Sequence, residues 1–249
     1  MINNRIVIYT ALFGKYDNLQ NPLFFDKNID FICFTNNFDL KSKYWKIVYL
    51  ENLFENKKMN RYVKFHPHKY LYNYNISIYI DSNVQIYSSI LKKINFNIAN
   101  NLISIPQHPF RKNISEEINF CIENKLIDKN IMTNNKIEKN FDIVNNKYTL
   151  TANRVLIRKH NDTRCIQLMS IWWKYYLSGI TRDQISLPFA LNEIKLFTHI
   201  IKSKYSFLDF FIVWPHLNEK KINKIKFYSK MFIFILLLKF IGLLYDYKR

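Results

Sequence analysis

Glycine and proline are scarce in this 249-residue chain, which holds three glycines and six prolines. That excludes flexible linkers, collagen-like repeats and low-complexity segments. Cysteine is scarce as well: Cys33, Cys121 and Cys165 are odd in number and far apart. Neither a disulfide framework nor a cysteine-based zinc site fits that spacing, and a reducing compartment suits it best. Cys121 and Cys165 sit among apolar neighbours, as buried thiols do. Arginine is the rare base, with eight among the 37 Lys and Arg residues. Readers of nucleic acid favour the bidentate Arg fork, so the net charge of +18 points instead to smaller anions or anionic surfaces. A secretory leader is not expected, because Met1–Arg5 runs straight into a strand pattern. Also missing is an uncharged apolar run of the ~20 residues that a membrane span needs.

What is present is an alternation of apolar strands and amphipathic helices. Arg5–Leu12, Asp30–Thr35, Tyr44–Leu50, Ile76–Ile80 and Leu102–Pro106 read as strands, the first with the near-continuous apolar character of a parallel sheet covered on both faces. Helices are expected over 58–73, broken at Pro67, over Tyr87–Phe96, from a capping box at Asn113 and Glu116 to about Leu126, and over Cys165–Leu177 and Asp183–Asn192. Thr149–Arg158 reads as a further strand, and the Asn- and Lys-rich segment 128–148 as a partly helical excursion. The fold class is therefore α/β with a mainly parallel central sheet flanked by helices.

The C-terminus departs from this pattern, so residues 1–218 are read as one domain and 219–249 as a tail. The tail carries eight Lys/Arg and two acids around an apolar run, Met231–Leu238 and Phe240–Leu244, split by Lys239. It reads as an interfacial helix on an anionic membrane, with Lys220, Lys221, Lys224, Lys226 and Lys230 toward headgroups. A helix closing onto the domain core and a short membrane span are the alternatives.

The stretch Ile78-Tyr-Ile-Asp-Ser-Asn83 carries the chemistry. A buried strand ends and presents Asp81 and Asn83 at its carboxyl tip, where open α/β sheets bind ligands and where a hard cation such as Mn²⁺ or Mg²⁺ finds oxygen ligands. Ordinary turn chemistry explains Asp-Ser-Asn equally well. Arg61 and Lys64 lie one helical turn apart and share a face. Asp183 stands at a helix start, where Asp is a common cap.

An ordered set of stretches resembles one family: Tyr9-Thr-Ala-Leu-Phe-Gly-Lys-Tyr-Asp17, Phe31–Thr35, Arg61 with Lys64, Ile78–Asn83, His108-Pro-Phe-Arg111 with Glu116-Glu117, Leu156–Arg158 and Arg182-Asp-Gln184. Together they resemble the glycosyltransferase-like family typified by the plant turgor-regulation-defect and mucilage-related proteins, over roughly Ile6 to Leu191. More remotely the chain is similar to glycogenin-like transferases. The resemblance implies a GT-A-like nucleotide-binding sandwich that moves a sugar from a nucleotide-sugar donor to a glycan or lipid-linked acceptor. Bacterial members often lie among surface-polysaccharide genes, which implies action on the cytoplasmic face of the cell membrane.

Carried over residue by residue, the resemblance implies Asp81, Asn83 and His216 at a divalent metal. Thr10 and Tyr16 would meet the base. Arg61, Lys64, Arg111 and Gln184 would hold the diphosphate and sugar. Asp183 would serve as general base, with His108 orienting the acceptor hydroxyl. Asn83 stands where similar enzymes outside the family carry a second acid. Two rival readings are a hydrolase on the same scaffold acting on a lipid, and a non-catalytic membrane-associated binding module.

Overall fold

A computed structural model describes residues 5–89, 101–128, 130, 137, 139–202, 211–217, 225, 227–231, 233, 234 and 236. Of the helix expected over Tyr87–Phe96, residues 90–96 lie outside this set, and 87–89 are not helical. Most of the 219–249 tail, including Lys220, Lys221, Lys224 and Lys226, lies outside it too.

The core is a seven-stranded sheet in the order β3-β2-β1-β4-β7-β6-β8. Strand β1 (Ile6–Leu12) is buried along its whole length. It pairs in parallel with β2 (Ile29–Thr35) and β4 (Ile76–Ile80), and β3 (Lys46–Tyr49) pairs in parallel with β2. The other half turns around β7 (Val155–Arg158), which runs antiparallel to both β4 and β6 (Ile103–Pro106). A short strand β8 (His199–Ile201) closes the edge in parallel with β6. The fold is α/β with a mainly parallel mixed sheet.

Side-chain alternation divides the sheet between two cores. Val7, Tyr9, Ala11, Ile32, Phe34 and Tyr79 point into the larger one. There they meet α1 (Asn56–Phe65), the short α2 (Pro67–Tyr70), α3 (Ile114–Glu123), α4 (Phe141–Lys147), α5 (Thr163–Leu177) and α6 (Asp183–Glu193). Ile6, Ile8, Phe31, Cys33, Ile78 and Ile157 point the other way. Among the described residues that second face is covered by loops and a two-stranded ribbon, β5 (Val84–Ile86) antiparallel to β9 (Phe211–Val213), rather than by helices.

Two local devices set up the functional edge. Helix α1 starts at Glu55, whose carboxylate accepts the N–H groups of Lys57 and Lys58. It ends against the sheet: the Lys64 carbonyl accepts from the Tyr9 hydroxyl at 3.0 Å and from Arg158 at 2.9 Å. Arg158 is wholly buried and has no carboxylate among its described partners. Its charge instead faces the carbonyl end of α1, where the helix dipole favours a cation. That contact fixes the height of Lys64 over the sheet.

The second device is a break in the β6–β7 ladder. Ile103 pairs with Arg158 and Ser104 with Ile157, but Gln107 bridges to Thr151, three residues out of that register. Residues 152–154 therefore bulge at the carboxyl edge of β4. Beside β4 the register holds, and the Asp81 N–H donates to the Arg154 carbonyl at 3.0 Å. This bulge is why the strand expected over Thr149–Arg158 forms only at Val155–Arg158.

The described end of the tail docks on the domain. Residues 225, 227–231, 233, 234 and 236 are helical. Phe227, Met231 and Phe234 pack with Tyr87, Ile212 and Trp214, while Ile225, Tyr228, Ile233 and Leu236 are exposed. No helix among the described residues is long and apolar enough to cross a membrane.

Candidate functional site

The carboxyl ends of β1 and β4, the bulge before β7, and the start of α6 converge on one edge. The β1 loop is shaped by Gly14, whose φ of +73° suits glycine and whose added Cβ would meet Asn56 at 2.6 Å. The Gly14 N–H donates to Asn36 Oδ1 at 2.9 Å. Past this anchor the loop presents Tyr16 and Asp17.

Asp17 is buried and receives His216 from the far end of the chain, with Nδ1 to Oδ2 at 2.8 Å. The Leu217 N–H donates to its other oxygen at 3.3 Å. The hydrogen bond to Asp17 is the main reason the His216 pKa is raised above 6.5, and burial opposes it. The Tyr16 ring lies 5.3 Å from the His216 ring, and burial raises its hydroxyl pKa first, with Asp17 adding to the effect. His216 reaches this place because Asn83 clamps the ribbon: its amide donates to the Trp214 carbonyl at 2.7 Å, and the Trp214 N–H donates to the Asn83 carbonyl at 2.8 Å.

A second cluster surrounds Asp183. Its carboxylate takes a hydrogen bond from Lys64 Nζ, and Arg61 Nε donates to it at 3.0 Å. Both Lys64 and Asp183 are buried, and Arg61 is about a quarter exposed. Burial alone would raise the Asp183 pKa, but the Arg61 and Lys64 charges overcome it and hold the carboxyl below its ordinary value. Both of its oxygens are already engaged, Oδ1 by Arg61 and Oδ2 by Lys64, which argues against the general-base role expected for Asp183. Its function in the site is to fix two cations.

A third cluster lies behind it. Glu117, fully buried, accepts from Arg111 Nε at 2.5 Å and from Arg182 at 3.3 Å. Arg111 also lies 4.0 Å above the Phe120 ring. His108 Nδ1 accepts the Arg111 N–H at 3.0 Å and the Phe110 N–H at 3.3 Å, and Nε2 lies 3.1 Å from the Arg111 guanidinium. Burial, then the Arg111 charge, pushes the His108 pKa down to about 4. Neither ring nitrogen is free, so His108 organises its own turn, a correction to its expected place at the acceptor. Arg111 is likewise engaged inside the protein rather than held out for a diphosphate.

Asp81 sits between the first two clusters, half-buried, with Oδ1 accepting from the Tyr79 hydroxyl at 2.9 Å. Its charge acts on Arg61, Lys64, Tyr16 and His216 together. Thr10 does not join it. β1 continues to Leu12, so Thr10 lies inside the strand, fully buried with an unpartnered hydroxyl, and a base at the strand tip would not meet it. Gln184 is half-buried at the second position of α6.

The metal set expected from Asp81, Asn83 and His216 holds one carboxylate, one amide and one imidazole. Among the described residues no three His, Cys, Asp or Glu side chains gather as a metal-holding group. Asn83 is committed to Trp214 through its amide nitrogen, and its buried Oδ1 has no partner. His216 is committed to Asp17 through Nδ1. The residues that sequence reasoning missed are Asp17 and Arg154. Asp17 closes the resembling stretch and carried no role there. Arg154 sits in the bulge, half-buried, and its charge disfavours protonation of both His108 and His216, against the stronger raising effect of Asp17 on His216.

The arrangement offers cations held by Asp183 and Glu117, with Asp81 and an imidazole oriented by Asp17 at the same edge. Such cations can hold a diphosphate and stabilise the charge that grows on it as a bond breaks. No family model and no curated protein matches the chain.

Proposed function

We propose that the protein is a GT-A-type glycosyltransferase, which moves a sugar from a nucleotide-sugar donor to a glycan or lipid-linked acceptor. The observation that carries this reading is the gathering of Arg61, Asp81, Arg154 and His216 at the carboxyl edge of the sheet, beside the exposed Tyr16. Sugar transfer asks a protein to position two substrates and to stabilise a departing diphosphate. Tyr16 is placed to stack on the base, and the Arg61 guanidinium to receive phosphate oxygens. His216, held in one orientation by Asp17, is the group placed to take the acceptor proton through Nε2. Asp81 is placed to accept a sugar hydroxyl.

The outward face of the docked tail supports an acceptor at a membrane. Ile225, Tyr228, Ile233 and Leu236 are apolar and exposed, and the surrounding tail is basic. This is the composition of a helix that lies on anionic lipid at the cytoplasmic face. Ile233→Glu with Leu236→Glu leaves the packed face intact and should abolish co-sedimentation with phosphatidylglycerol vesicles; retained co-sedimentation would remove the membrane from the reading.

The test of the activity is release of UDP, GDP or CMP from a panel of nucleotide sugars by the full chain. Turnover of one donor that is lost in Asp81→Ala and His216→Ala supports a transferase site. If no donor is cleaved or bound, a non-catalytic module is the better account.

A further inference from the structure

We infer that Arg154 takes the place of a divalent metal in this site, so that a nucleoside diphosphate is held and released by guanidinium groups alone. The inference rests on the transferase reading above and goes beyond it in naming how the leaving group is neutralised. The first observation is the donor set. Among the described residues no three His, Cys, Asp or Glu side chains gather as a metal-holding group. Asp81 is left as a lone carboxylate with one oxygen already accepting from Tyr79. Mg²⁺ and Mn²⁺ take carboxylate oxygens together with substrate phosphates, and a single half-engaged carboxylate is a weak anchor for either.

The second observation is which cations remain free. Lys64 and Arg61 are paired with Asp183, and Arg111 and Arg182 with Glu117. Arg154 alone among these five has no carboxylate partner within the described residues. Its backbone is fixed beside Asp81 by the Asp81 N–H, and the register break between β6 and β7 lifts it out of the ladder at the active edge. Arg154, half-buried and without a carboxylate partner among the described residues, stands next to the motif that would face the donor and can pair with an anion. The planar fork suits two phosphate oxygens. Arg61, pinned by Asp183 and partly exposed, lies near the same carboxylate and completes a two-sided clamp.

The experiment is calorimetric titration of the full chain with UDP and with GDP, in excess EDTA and again in Mn²⁺, for wild type, Arg154→Ala and Arg154→Lys. The expected result is that one nucleotide binds in EDTA with an affinity that Mn²⁺ leaves within about twofold. Arg154→Ala should weaken it by about tenfold or more, and Arg154→Lys by less, because a point charge replaces the fork. The melting temperature of each variant checks the fold, and Arg154 has no ion pair whose loss would unfold it. Binding that needs Mn²⁺ would overturn the inference while leaving a transferase standing. Metal-free binding that ignores Arg154→Ala would overturn the role of Arg154. Absence of binding under both conditions would overturn the transferase reading, and the inference with it.

Discussion

His216 Nδ1 lies 2.8 Å from Asp17 Oδ2, joining positions 199 residues apart. The pair orients the ring through Nδ1 and leaves Nε2 as the nitrogen not bound to Asp17. Because the His216 pKa is raised in the fold, the stabilisation from the pair is present below about 6.5 and is lost as pH rises through the folded value. NMR titration should place the His216 midpoint above 6.5, and Asp17→Asn should lower it. The stability gap between wild type and Asp17→Asn should stay below about 1 kcal/mol, since His216 is partly exposed, and should shrink toward pH 9. A midpoint unmoved by Asp17→Asn would show that the pair does not exist in solution.

Asp183 is buried against Lys64 and Arg61. Asp183→Asn would leave the Lys64 ammonium buried beside a neutral amide, at a cost of about 3–5 kcal/mol. Joint replacement, Lys64→Met with Asp183→Leu, should cost less than the single change, because the buried ammonium goes with the carboxylate and the charge that remains, on Arg61, is partly exposed. The Asp183 pKa is lowered, so its contribution is present above the ordinary carboxyl value and is lost as pH falls through the folded one. Urea denaturation at pH 7 measures both variants against wild type; a loss under 1 kcal/mol for Asp183→Asn would rule out a buried pair.

Burial is the largest cause holding His66 and His160 at about 4 in the fold. An unfolded chain protonates these rings near 6.5. The native state therefore loses stability as pH falls from 6.5 toward 4, by a few kcal/mol for the two together. Urea midpoints should drop steadily across that window, and His66→Leu should flatten part of the slope. A midpoint constant from pH 7 to pH 5 would contradict the buried neutral state of both rings.

Gly14 combines a left-handed φ with a close approach to Asn56. Gly14→Ala should cost about 1–3 kcal/mol from strain and should displace the loop that carries Tyr16 and Asp17. The readout beyond stability is the His216 midpoint, which should fall toward 6.5 as Asp17 moves away. Unchanged titration would confine the effect of the glycine to its own turn.

The parallel half of the fold was legible because β1, β2 and β4 are largely apolar runs, and the α3 start because Asn113 caps the Glu116 N–H as the spacing predicts, although the Glu116 carboxylate returns to the Lys112 N–H, one residue before the expected Asn113. The direction of β7 was not legible. Val-Leu-Ile-Arg is buried on both faces, and periodicity carries no sign of whether such a strand runs up or down. Arg154 was hidden by the same fact: inside an expected strand over 149–158 it occupies an interior position, and only the antiparallel register brings it beside Asp81. The shared face of Arg61 and Lys64 was readable from helical spacing, but their joint partner, Asp183, is 119 residues beyond Lys64. Asp17 carried no local signal, because what singles it out is a histidine from the other end of the chain.

The ribbon of β5 and β9 has a consequence for synthesis. Strand β4 lacks its second neighbour until β7 leaves the ribosome, and Asp17 lacks His216 until residue 216 has followed. The first loop of the protein thus waits through nearly the whole of translation for its partner, and contacts of such sequence separation form late. A nascent chain halted before β9 can assemble much of its sheet and yet leave Asp17 without its histidine, so the edge is complete only after β9 has docked.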